Sequence, residues 1–458
     1  MKVIHVPFCF APDPFGGTEV YVANLARDLQ GLGVDAMVAA PSETSRSYTI
    51  DGLRVRRYAV SDEVTDVVQL YGPGNLLAAT EFAKILDEEM PDLVHLHAFT
   101  RGVSLRLVHA AKKRGIPVVF TYHTPTVSCQ RGTMLLWGKD FCDGKLDVVR
   151  CAGCTVNGLG IYGPLAAQIG RLSPTFGRWL GDRGLQGGIW TALRMSELIS
   201  VRHAVFRKMA SEVDHIVAVC NWVLDVILLN DVPEAKVSLS RHGISWVPDQ
   251  MAATAECSTR EERDAIRLAF VGRLDSSKGL HVLIKAFKMV PTLKATLDVY
   301  GVVQGPANAA YQKEMLTLAN GDPRISFLEP IAPQQVVPRL RQYDFLAIPS
   351  QWLETGPLVA LEAFAAGIPV IGWKLGGINE IVQHGVNGLL IEPDSVTRWA
   401  ETLRRVSEDA NLRAQLKAGV RPPRTSVEVA REMLALYESL LGSRPARQPA
   451  HASPSKVS

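Results

Sequence analysis

No stretch of this 458-residue chain approaches the ~20 uninterrupted apolar residues of a membrane-spanning helix, so a helical integral membrane protein is not expected. Charge of one sign is equally scarce: 49 Lys and Arg stand against 46 Asp and Glu, far from the excess of a dedicated nucleic-acid binder. Any anion the protein binds must therefore be met by a local site, and no nucleic-acid partner is expected. Seven cysteines are too few for a disulfide scaffold in a chain of this size. The opening Met1-Lys2-Val3-Ile4-His5-Val6 has one basic residue and a short apolar run, which reads as a first strand and not as a cleavable signal. A cytoplasmic protein with reduced thiols is the expectation. No Walker phosphate loop and no Asp-x-Asp occur, so a metal-bridged diphosphate site has no candidate ligands and no catalytic metal is expected.

What is present is an ordinary globular composition, 47% apolar and 21% charged, long enough for roughly three domains of ~150 residues or two larger ones. Short β-branched runs alternate with amphipathic stretches, the pattern of parallel sheets covered by helices. Strands are predicted at 3–6, 34–40, 92–97, 117–122 and 215–219, and again at 266–271, 295–300, 324–328, 345–348, 369–371 and 388–391. A polar stretch without apolar period, 248–263, separates the two sets. The expected organisation is an N-terminal Rossmann-like domain over 1–247 and a C-terminal one over 264–425. A helix over 426–442 is expected to pack back on the first domain, with a disordered tail over 443–458. Two such domains in tandem imply a cleft between them.

Three turns follow predicted strands and open predicted helices. Gly16-Gly17 is a turn without side chains after the first strand, which allows close backbone approach to a phosphate. Gly272-Arg273 with Lys278 places two cations where a diphosphate would lie between them. The most informative block runs from Ser350 to Ile371: Glu354 precedes a helix begun by Gly356, Pro357 and Leu358, and Glu362 lies within it. Free N–H groups at such a helix start favour phosphate oxygens, and both carboxylates can accept hydrogen bonds from sugar hydroxyls. His123 ends the strand 117–122. A histidine there is more often a hydrogen-bonded core residue, yet the carboxyl edge of a parallel strand is where open α/β sheets bind ligands.

Together, in this order along nearly the whole chain, these segments resemble the retaining family-four glycosyltransferases of the GT-B fold. The resemblance implies that Arg273 and Lys278 hold the donor diphosphate, that Glu362 binds the nucleotide ribose, and that Glu354 binds hydroxyls of the donor sugar. It also implies that His123 faces the transferred sugar, that Gly17 lines the diphosphate from the other domain, and that attack is front-face. Here Glu354 is followed by Thr-Gly-Pro where many relatives have Phe-Gly, which leaves the sugar unspecified. A nucleotide sugar is the expected donor and a carbohydrate or lipid-linked glycan the expected acceptor. The alternatives are a GT-B epimerase or hydrolase, and an inactive sugar-nucleotide binding protein.

Two features fit neither domain pattern. Residues 155–212 carry seven Lys or Arg against three Asp or Glu, with Trp179 and Trp190 among them, and read either as a surface for anionic membrane lipid or as a solvated excursion. Cys129, Cys142, Cys151 and Cys154 fall within 26 residues. Cys151-Ala-Gly-Cys154 has the spacing of half a zinc site that the other two would complete; four reduced thiols is the alternative.

Overall fold

The structure, a computed structural model, describes residues 1–13, 16–245, 265–393 and 395–442. Phe15, the expected linker at 248–263 and the expected tail at 443–458 lie outside the described residues.

The first lobe is built on an eight-stranded sheet. Its strands are β1 (Lys2–Val6), β2 (Asp35–Ser42), β3 (Arg46–Ile50), β4 (Leu53–Ala59), β5 (Leu93–Leu96), β6 (Val118–Tyr122), β9 (His215–Ala218) and β10 (Val237–Leu239), ordered β10-β9-β6-β5-β1-β2-β4-β3. A separate hairpin joins β7 (Leu135–Leu136) to β8 (Asp140–Phe141). Every pair in the main sheet is parallel except β3 with β4. Its central strands are apolar on both faces because helices cover both. Tyr21, Val22, Leu25 and Leu29 of the helix Gly17–Gly31 pack on one face, while Phe82, Leu107 and Phe206 lie in the core of the other. The second lobe has six parallel strands ordered β13-β12-β11-β14-β15-β16: β11 (Ile266–Arg273), β12 (Ala295–Val302), β13 (Ile325–Leu328), β14 (Phe345–Ile348), β15 (Val370–Trp373) and β16 (Gly388–Ile391). Among the described residues no helix is long and apolar enough to cross a membrane.

Sequence patterning missed β3, β4, β10 and the hairpin, which are short or half-exposed and so lack a continuous apolar run. It also misread the second half of 155–212 as foreign to the domain. The helix Met195–Glu212 buries Phe206, Met209 and Ala210 in the sheet core and lies on the connection from β6 to its parallel neighbour β9. A parallel pair requires such a crossover, and a helix is the usual one. Before it come the short helices Gly163–Gly170, Pro174–Gly181 and Gly188–Leu193, of which the first and third share a small apolar cluster with Met195 through Ala166, Ile169 and Ala192.

The helix Ser426–Gly442 returns to the first lobe. Val429, Ala430, Met433 and Tyr437 join Leu25, Leu29 and Val38 in one apolar cluster, and the Tyr437 hydroxyl lies 2.6 Å from His95 Nδ1. The other ring nitrogen of His95 is 2.7 Å from Thr121 Oγ1, so this buried imidazole has both nitrogens satisfied. Tyr437→Phe leaves one of them unpaired and is expected to lower stability by about 1–3 kcal/mol. In urea the midpoint falls while the slope stays the same; an unchanged midpoint removes the tether assigned to this pair.

Candidate active site

The site lies where the carboxyl ends of β1, β5, β6 and β10 meet the loop after β14. That loop, 353–357, is held by backbone and side-chain bonds at four consecutive residues. The Leu353 N–H donates to Thr133 O at 3.2 Å, and Glu354 O accepts from Gly377 N–H at 2.6 Å and from Trp222 Nε1–H at 2.9 Å. Thr355 Oγ1 donates to His123 O at 2.6 Å, and Gly356 O lies 2.9 Å from His242 Nδ1. Thr133, Trp222, His123 and His242 all belong to the first lobe, so the loop is clasped across the cleft. Gly356 adopts φ of 150°, and a Cβ there would meet His242 Nδ1 at 3.1 Å, so both conformation and space require glycine. Pro357 caps the helix Leu358–Ala365, whose first N–H groups have no partner within the helix.

Four histidines run inward from that carbonyl. His242 Nε2 is 3.3 Å from His123 Nδ1, His123 Nε2 is 3.1 Å from His97 Nδ1, and His97 Nε2 is 3.0 Å from His5 Nδ1. The direction of every bond follows from the end of the chain. A carbonyl oxygen only accepts, so His242 Nδ1 carries the proton and its Nε2 is left as an acceptor. His123 must then donate from Nδ1 and accept at Nε2, and His97 and His5 repeat the pattern. All four are Nδ1–H tautomers, and the chain stops at His5 Nε2, which is buried with no hydrogen-bond partner. Burial keeps the rings neutral: it pushes His5 down to about 3 and His242 to about 4, and holds His97 and His123 well below the usual 6.5, with neighbouring imidazoles adding to the effect on both.

His123 stands at the end of β6 beside the cleft as expected from its position, and in this structure both of its ring nitrogens are hydrogen-bonded to other imidazoles while its backbone carbonyl accepts from Thr355. Glu354 and Lys278 are each other's partners: Lys278 Nζ donates to Glu354 Oε1 at 2.6 Å, and the same oxygen accepts from Ser350 Oγ at 2.8 Å and Trp352 Nε1 at 2.9 Å. Lys278 keeps two N–H donors and Glu354 its second oxygen. Arg273 is 44% exposed, its Nε 3.6 Å from Asp275, and it faces Glu19 of the first lobe. Glu362 sits on the helix Leu358–Ala365 with no hydrogen bond or ion pair to its carboxyl among the described residues, and burial pushes that carboxyl up to about 7. From the first lobe, Gly17 lies against Leu358, where a Cβ would meet Cδ1 at 3.8 Å. The Gly16 N–H donates to Glu19 Oε2 at 2.9 Å in this structure. Cys129, Cys142, Cys151 and Cys154 all line one small cavity away from these carboxylates.

Sequence reading missed Glu19, Trp222, Thr355, His5, His97 and His242. Gly16-x-x-Glu19 is a capping box, a legible signal. The histidines each fall at a strand's carboxyl end, yet β10 was not predicted, so His242 could not be placed.

Comparison with known proteins places these features in context. The description "Glycosyl transferases group 1" matches residues 256–421, and "Glycosyl transferase 4-like domain" matches residues 16–241. A D-inositol 3-phosphate glycosyltransferase of Xylanimonas cellulosilytica is 32% identical over 451 residues, covering 94% of each chain. One from Corynebacterium glutamicum is 36% identical over 154 residues, covering 32% of this chain and 37% of the relative. Among solved structures, Anabaena HepE in complex with UDP and glucose aligns with a TM-score of 0.61 at 17% identity over 96% of this chain and all of that one. Sucrose-phosphate synthase of Thermosynechococcus elongatus aligns with a TM-score of 0.63 at 16% identity over 97% and 100%. These neighbours share the two-lobed GT-B architecture.

The neutral imidazole chain makes stability depend on acid. In the unfolded chain each histidine titrates near 6.5, whereas His242 folded titrates near 4 and His5 near 3. The unfolded state therefore binds more protons below about 6.5, and the stability present above that pH is lost as pH falls towards 4. Each such histidine adds about 1.4 kcal/mol of loss per pH unit in that window. Urea unfolding between pH 7 and 5 is expected to show this slope, and His242→Gln to reduce it; a flat profile removes the neutral chain.

Proposed function

Because the chain belongs to the glycosyl transferases group 1 family, we propose that it transfers a sugar from a nucleoside diphosphate to an acceptor hydroxyl with retention of configuration. One observation carries this reading. A single strand-loop-helix unit, 345–365, offers Glu354, a helix start and the unpaired Glu362 side by side, with Lys278 bonded to Glu354 and Arg273 on the neighbouring strand β11.

In this reading the ribose hydroxyls donate to Glu362, and the diphosphate oxygens accept from the N–H groups at the start of Leu358–Ala365, from Arg273, and from the two N–H groups Lys278 still has free. Those charges stand in for a divalent ion, for which the sequence has no Asp-x-Asp. The second oxygen of Glu354 takes a hydroxyl of the donor sugar, so Lys278 links sugar and diphosphate recognition through one ion pair. In the transfer, the acceptor oxygen bonds to the anomeric carbon on the face the diphosphate leaves. The carbon–oxygen bond to phosphate breaks, and the acceptor proton passes to the departing phosphate oxygen. His123 and His242 position the loop and exchange no proton. The relatives named above act on an inositol phosphate, so an acceptor panel begins with that polyol and extends to oligosaccharides and lipid-linked glycans.

The same reading includes peripheral membrane contact at the inner face of a cytoplasmic membrane. Leu159, Tyr162, Leu165, Trp179 and Ile189 are exposed on the short helices before Met195 and the connection leading into them, and Arg171, Arg178 and Arg183 lie among them, Arg183 stacking on the Trp179 ring at 3.7 Å. An apolar surface studded with arginine suits anionic lipid.

Two measurements test this. UDP affinity, followed by calorimetry with other nucleoside diphosphates as comparison, is expected to rise with pH through about 7 as Glu362 ionises, and Glu362→Gln to abolish that rise. Arg273→Ala is expected to weaken a nucleoside diphosphate by about 1.5–3 kcal/mol, ten- to over a hundredfold. If no nucleoside diphosphate binds, or both variants bind as the parent does, the donor site is elsewhere. For the membrane surface, sedimentation with phosphatidylglycerol vesicles at low salt is expected, with several-fold less for Trp179→Ala combined with Ile189→Ser. Equal binding to phosphatidylcholine, or none to either, rejects that surface.

A further inference from the structure

Residues 129–154 have no part in the chemistry above, yet they are organised in an unusual way. Between Cys129 and Asp147 regular structure amounts to the two-residue strands β7 and β8. Met134 and Trp137 both adopt φ of 55°, in the left-handed region that side chains disfavour. A long irregular segment that keeps such conformations needs something other than a strand ladder to define it.

The four thiols supply a focus. Cys129 follows the turn Pro125–Val127, Cys142 follows β8, and Cys151 and Cys154 are three residues apart on one face of the helix Val148–Gly158. All four line one cavity of about 30 Å³, room for a single ion or water and far too little for a multi-iron cluster. N–H and guanidinium groups border the sulfurs. Cys154 Sγ accepts the Trp137 backbone N–H at 3.2 Å and lies 3.7 Å from the Arg131 guanidinium, while Arg150 lies beside Cys142 and Cys151. Four thiolates around a divalent cation carry two net negative charges, and two guanidinium groups border the cavity. By contrast, His5, His95 and His97 have nitrogens within 4.8 Å of one another, but five of their six ring nitrogens are already bonded to protein groups.

We propose that Cys129, Cys142, Cys151 and Cys154 form a closed four-thiolate site for one zinc ion, which fixes the segment 129–154. Zinc is the fitting ion because it is soft enough for sulfur, redox-inert and content with a tetrahedron. Binding releases four thiol protons to solvent as four zinc–sulfur bonds form. At zinc–sulfur distances of about 2.3 Å the sulfurs lie about 3.8 Å apart. Among the described residues no three cysteine sulfurs lie within 4.8 Å of one another, so loading draws them inward. The effect reaches the donor loop: Thr133 O holds the Leu353 N–H next to Glu354, and Met134 and Leu353 share one apolar cluster.

The test uses the full chain purified with a thiol reductant and without chelator. Elemental analysis is expected to give about one zinc per chain. Protein grown with cobalt is expected to show the visible bands of a tetrahedral tetrathiolate. Cys151→Ser with Cys154→Ser is expected to lose at least nine-tenths of the metal and to raise the donor KM more than it lowers kcat. If that variant does not fold, titrating the parent with a mercurial is expected to release one zinc per four thiols. Metal-free protein whose thiols all react at once, or iron with visible absorption in place of zinc, overturns the proposal. Metal content is read without turnover, so this result stands apart from the transferase assignment.

Discussion

The carbonyl oxygen of Gly356 can accept a hydrogen bond and can never donate one, and much of the site's order follows from that restriction. Its donor is His242, and once the proton sits on His242 Nδ1 the tautomers of His123, His97 and His5 have no freedom left. Four imidazoles from four strand ends become one directed chain. Because burial keeps them uncharged, the chain adds no positive charge to the cleft, and the site's cations are left to Lys278 and Arg273.

The chain matters because of where it ends. The loop after β14 has no regular structure to hold it, and it carries Glu354 and the start of the helix that bears Glu362. It is held in place by Thr133, Trp222, His123 and His242, all from the opposite lobe. A second set of bonds runs from the backbone N–H groups of Asn221 and Trp222, and from Arg241, to Glu380. In such a clasp the loop's geometry depends on closure of the two lobes, since separating them strips four loop residues of four partners, the donor to Gly356 O among them. Site preorganisation and lobe contact are then one event, which ties the fold's two halves to its chemistry.

Glu362 and Glu354 show how environment separates two carboxylates eight positions apart. Glu354 is buried but meets a lysine, a serine hydroxyl and an indole N–H on one oxygen. Glu362 has no such partners, and burial alone raises it towards neutrality. A group in that condition is one for which a ligand supplies the missing donors.

The sequence by itself determined the two-lobed α/β architecture and the helix start at Gly356-Pro357. These are local properties: apolar runs of strand length, glycines at turns and a helix opened by proline are legible wherever they occur. Tertiary structure alone decided how the side chains are used. That Lys278 pairs with Glu354, that Glu19 takes the Gly16 N–H, and that His123 has both nitrogens occupied are long-range or competitive facts with no local signature. His123 and His242 are 119 residues apart and meet only because β6 and β10 flank β9 in one sheet. A strand order records no trace in the residues of any one strand, so the histidine chain through His123 is visible only in the folded structure.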